Sequence, residues 1–151
     1  MLVNNQLGWI LVCSKMLQGA GLSRGQTDEA LKVLERLPLD VNVKWSFDAK
    51  CFPTDGDGSV TVFLERMTLA PKGAYLPRFP KPKDEQWWLI LGDEETGELL
   101  ALKRISFRRR MSTKLAFGTP EDAGRQKMAL YLMSDSYIGV DQQYELEYDC
   151  E

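Results

Sequence analysis

The chain contains no histidine at all. That removes the commonest general base, the commonest metal ligand and every Ser-His or Cys-His pairing at once. Its three cysteines, Cys13, Cys51 and Cys150, are odd in number and far apart. Neither a disulfide framework nor a structural zinc site is built that way. Reduced thiols point to a cytoplasmic or nuclear setting. There is no excess of positive charge either: the net charge is -3 and the pI about 5.1, against a dedicated nucleic-acid binder. The apolar run Trp9–Cys13 ends at Lys15 and is too short to span a bilayer. No basic residue precedes it, as a signal peptide would require. The pattern GxxxxGK[ST] is absent, so no phosphate loop of that kind is expected. These absences imply no catalytic residues, no metal, no cofactor and no membrane partner.

What is present is the composition of a folded domain. The chain has 151 residues, of which 44% are hydrophobic and 27% charged, enough to bury a core of its own. Two regions differ in period. Residues 1–37 read as a helical segment. A helix is expected over Asp28–Leu37, capped by Thr27, with Asp28 and Glu29 in its first turn and Pro38 behind it. A second helix is expected around Leu7–Leu17, with Gly19, Gly21 and Gly25 between the two. Residues 38–151 read as a β-sandwich domain. Leu39, Val41, Val43, Trp45 and Phe47 alternate with Asp40, Asn42, Lys44, Ser46 and Asp48, the mark of a strand with one wet face. Val60, Val62 and Leu64 repeat the pattern after the turn Pro53–Gly58, where Asp55 and Asp57 read as turn residues and Arg66 stands where a calcium loop needs Glu. Pro71–Lys83 is proline-rich and reads as a loop. The run Trp87–Leu91 suits a central strand covered on both sides. Further strands are expected at Leu99–Phe107, Thr113–Phe117, Met128–Met133 and Gln143–Asp149. The fold class is therefore mainly β: a seven-stranded sandwich of the immunoglobulin or fibronectin-III kind, preceded by a short helical segment.

Three blocks narrow the reading. They are FPKPKDEQWWLILGD at Phe79–Asp93, GELLALKRISF at Gly97–Phe107, and LYLMSDSYIGVDQQYELE at Leu130–Glu147. In this order they resemble the C-terminal part of the Sec-63 homology (Brl) module, found in the helicase subunit of the signal cointegrator complex and in the large spliceosomal U5 helicase. The resemblance implies a fibronectin-like sandwich that performs no chemistry, with helicase motor domains or other proteins of a helicase complex as partners. Residues 1–37 would then be a remnant of the module's helical part.

Two sets of residues stand out. The signature of the blocks is Trp87, Trp88, Gly92, Asp93, Asp135, Tyr137, Gly139 and Asp141. Adjacent Trp87 and Trp88 point to opposite strand faces. The favoured expectation is that both are covered, the other that one anchors a partner. Asp135 and Asp141 read as acceptors for backbone N–H groups, with Gly139 at positive φ. The second set is basic: Lys103, Arg104, Arg108, Arg109, Arg110 and Lys114. It reads as a candidate partner-binding cluster, for nucleic acid or for an acidic protein, or equally as a solvated turn, and stacking aromatics near it are few.

Overall fold

In a computed structural model the chain is described over residues 4–49, 56–67, 71–119 and 124–150. Residues Pro53–Asp55 of the expected turn lie outside these, as does Cys51. The chain divides into two compact units, Met1–Leu37 and Pro38–Glu151.

The first unit is a pair of helices, α1 (Asn4–Gly19) and α2 (Arg24–Leu34). The cap of α2 is Ser23, not Thr27. The Gln26 N–H donates to the Ser23 hydroxyl, and the Ser23 N–H donates back to the Gln26 side-chain oxygen. This reciprocal box starts the helix four residues before the expected Asp28. Thr27, one turn in, is buried, and its hydroxyl donates to the Ser23 carbonyl at 3.0 Å. No helix among the described residues is long and apolar enough to cross a membrane.

Among the described residues the second unit holds seven strands: β1 (Val41–Ala49), β2 (Asp57–Arg66), β3 (Trp87–Asp93), β4 (Leu99–Ile105), β5 (Arg110–Gly118), β6 (Gly124–Ser134) and β7 (Gln142–Cys150). They form two antiparallel sheets, ordered β1-β2-β5 and β4-β3-β6-β7. The fold is thus a mainly β sandwich, as the alternation predicts. The fourth strand pairs with β3, whereas a constant-type immunoglobulin domain places it beside the fifth. The residues between β2 and β3 that are described form no strand or helix.

Period two decides what is buried. Val60, Val62 and Leu64 of β2 meet Trp87, Leu89 and Leu91 of β3 and Leu130 and Leu132 of β6, all of them at 2% exposure or less. An aromatic group closes the flank between β1 and β7: Trp45 lies against Tyr144 with ring centroids 5.3 Å apart, and Phe47 stacks on Tyr148 at 5.2 Å. The expectation for Trp87–Leu91 is half right. β3 is central in its sheet, but only its odd residues are covered, and the sheet's outer face at Trp88 is open.

Candidate functional site

Residues directly opposite in an antiparallel ladder share a face. On the outer face of the four-stranded sheet this aligns two rows. One is Arg104 (β4), Trp88 (β3) and Met133 (β6); the next is Leu102, Ile90 and Tyr131. Leu102, Met133 and Trp88 are exposed, Trp88 at 36%. Trp87, one residue earlier, is fully buried and donates its indole N–H to Glu85 Oε1 at 3.2 Å. The two tryptophans therefore do point to opposite faces, and the expectation that both are covered is corrected. Trp88 retains a partly open face.

Arg104 carries its guanidinium 5.3 Å from the centre of the Trp88 ring and donates to Asp135 Oδ2 at 2.9 Å. Asp135 holds several partners. Its other oxygen accepts from Lys83 Nζ at 2.8 Å, from the Ser136 hydroxyl at 2.7 Å and from the Gln86 N–H at 3.1 Å. Burial alone would raise its pKa; these donors outweigh burial and hold the carboxyl down to about 2. The result is a band whose cationic edge is fixed in place.

The other signature residues shape the two loops beside the band. Asp141 Oδ1 accepts from the Ser134 N–H at 2.8 Å. The Ser134 hydroxyl accepts from the N–H groups of Ser136 and Tyr137, both at 3.1 Å. Buried Tyr137 receives the Tyr75 N–H on its hydroxyl at 2.6 Å, tying this loop to the segment before β3. Gly139 turns the chain at φ 85°, where a side chain would be strained. At the far end of β3 the ladder slips between Leu91 and Gly92. Asp93 there accepts from the N–H groups of Thr96 and Glu95, at 3.0 and 2.7 Å, which lowers its pKa.

The six basic residues do not gather into one patch. Arg104 lies on the outer face of the four-stranded sheet. Arg110 and Lys114 lie on the outer face of the three-stranded sheet, on the opposite side of the sandwich. Lys103 stands on edge strand β4, in line with the inward positions, and Arg108 and Arg109 occupy the loop between the sheets. Arg110 pairs with Glu65 at 2.6 Å and Lys114 with Asp48 at 3.8 Å.

Sequence reasoning missed a buried ion pair. Arg66 is 2% exposed, and its Nη1 donates to Glu85 Oε1 at 2.6 Å, with Asp40 3.8 Å from its Nε. Burial raises the Glu85 pKa, against the pull of Arg66. The signal was available, because period two puts Arg66 in the row of Val60, Val62 and Leu64.

Fold and site together define a β-sandwich domain with an exposed apolar band on one sheet. The chain belongs to the Sec63 Brl domain family, whose model matches residues 24–147. It is similar to the DExH-box ATP-dependent RNA helicase DExH13 of Arabidopsis thaliana, 47% identical over 73 residues, 48% of this chain and 3% of that protein. It is also similar to the activating signal cointegrator 1 complex subunit 3 of Gallus gallus, 46% identical over 98 residues, 61% of this chain and 4% of that protein. The Homo sapiens form of the same subunit is 53% identical over 74 residues, 48% of this chain and 3% of that protein. The chain thus spans a very small part of the relatives it matches.

Proposed function

We propose that this chain is a non-catalytic protein-interaction and scaffold module that works with a large helicase, its partner being the motor domains or another protein of the same complex. One observation carries the reading: the two rows through Trp88 and Ile90, an open apolar band bordered by a fixed arginine. Aromatic and arginine side chains of this kind dominate the energy of protein interfaces. The cysteine usage suits a nuclear or cytoplasmic place of action.

Nucleic-acid binding through 103–114 is the weaker alternative. A phosphate track needs cations on one surface, whereas these lie on two sides of the sandwich and three of them already face carboxylates.

The test uses a signal-cointegrator helicase subunit from which the stretch matching this chain has been removed. The chain should bind it, and Leu102→Asp and Trp88→Ala should each weaken binding by about tenfold or more. Leu102 is exposed, so its variant isolates contact from folding. Binding that neither substitution alters would defeat the proposal.

A further inference from the structure

A second surface lies at one end of the sandwich, where the chain passes from β6 to β7, from β4 to β5 and into β3. Ile138 is fully exposed at the tip of the β6–β7 loop. Isoleucine is among the residue types most often buried, and here it stands on a loop closed by hydrogen bonds. Its neighbours Tyr137 and Val140 are buried, the Ser134 and Asp141 hydrogen bonds close the loop beneath it, and Gly139 makes the turn. The sequence therefore spends two inward anchors and several hydrogen bonds on pointing one apolar side chain outward. A projection fixed in this way loses little freedom on binding.

Phe79 is a second apolar residue on the loops of this end. It is exposed on a turn closed by its N–H donating to the Leu76 carbonyl at 3.0 Å. That turn directly follows Tyr75, whose N–H is held by the Tyr137 hydroxyl. The two exposed apolar residues thus sit on segments tied together by one hydrogen bond. The loops of this end also carry exposed Lys72, Arg78, Lys81, Arg108 and Arg109 against exposed Asp84 and Asp141. At the opposite end, the β3–β4 turn holds Asp93, Glu94, Glu95 and Glu98 and no cation. Against a net charge of -3, the described loops of the Ile138 and Phe79 end thus carry more exposed cations than exposed carboxylates.

From this arrangement we infer that the Ile138–Phe79 end is a docking site for an acidic, amphipathic protein segment. Its apolar residues would cover Ile138 and Phe79, and its carboxylates would meet Arg78 and Lys81. Charge of opposite sign steers and orients such a partner. Nucleic acid fits less well, because Phe79 offers one ring and Ile138 none, whereas single-strand binding stacks successive bases. The inference rests on the reading above only in that the chain acts by contacting protein; it concerns another surface.

The experiment is a titration of the whole chain with a short synthetic peptide of leucine and glutamate, followed by backbone amide chemical shifts. Saturable shifts centred on residues 76–81 and 136–140 are expected. Ile138→Ser, and separately the pair Arg78→Glu and Lys81→Glu, should raise the dissociation constant by at least about tenfold. Added salt should also weaken binding. The inference is overturned if no saturable shift occurs at these residues, if a leucine–lysine peptide binds as well, or if Ile138→Ser binds as tightly as the parent. It is also overturned if a single-stranded oligouridylate, and not the peptide, moves these amides. Helicase binding lost through Leu102→Asp is a separate readout, so either reading can fail while the other stands.

Discussion

Asp135 and Glu85 are two carboxyls of the same region pushed in opposite directions. Asp135 is held at about 2 by Lys83, Ser136, Arg104 and the Gln86 N–H, in spite of burial. A carboxyl with a lowered folded pKa stabilises the fold above its unfolded value, near 4, and loses that contribution as pH falls toward the folded value. Glu85 runs the other way. Burial raises its pKa, so its contribution is present below its unfolded value and is lost as pH rises through the folded one. Asp135→Asn should therefore cost about 1–2 kcal/mol at neutral pH, allowing for solvent at Arg104. The gap from the parent should shrink as pH falls from about 4 to about 2. Urea titrations at neutral and acid pH measure both, and a gap independent of pH would contradict the assignment. Little of this was legible in the sequence. Asp135 reads correctly as an acceptor for a backbone N–H, but Lys83 and Arg104 lie far from it along the chain and only the fold brings them together. Trp88 misleads for a related reason: five consecutive apolar residues at 87–91 hide the alternation that exposes it.

At the scale of the element, the register of β2 and β5 places Gly58 directly opposite Phe117. A Cβ at residue 58 would lie 2.6 Å from Phe117 Cε2 and 2.9 Å from Thr119 Cγ2. Phe117 cannot move aside easily, since it is buried with its ring against both Phe47 and Tyr148. Gly58→Ala should thus destabilise the protein by about 1–3 kcal/mol through overpacking. Gly118→Ala is its control, because a Cβ there meets nothing within 4 Å. Equal unfolding midpoints for the two variants would mean that the ring yields. The strands themselves are readable because alternation is strict where one face is wet, as in β1. The helix start is less so: Thr27 and Ser23 both suit a cap, and Gln26, three residues after Ser23, is what settles it. Strand partnership is not readable either. Residues 103–114 look like one basic cluster along the chain, yet the passage from β4 to β5 crosses between sheets and sends Arg104 and Arg110 to opposite sides.

On the scale of the whole molecule, the two units differ in what they can sustain alone. The sandwich has fully buried residues in both sheets and an aromatic closure on one flank. The helices have 16 and 11 residues, and isolated helices of such length are marginal in water. Leu11, Val12 and Met16 of α1 are also exposed, so this helix leaves apolar surface uncovered. Residues 38–151 expressed alone should therefore unfold in one cooperative transition, followed by tryptophan fluorescence, to which buried Trp87 contributes. A peptide of residues 1–37 should show little helicity by circular dichroism. This outcome would make the sandwich an autonomous module, able to present the Trp88 band and the Ile138 end as rigid surfaces, and would leave the helical segment dependent on what it packs against. A gradual transition in the 38–151 fragment would mean instead that it does not fold autonomously. Both surfaces would then have to be tested only in the full chain.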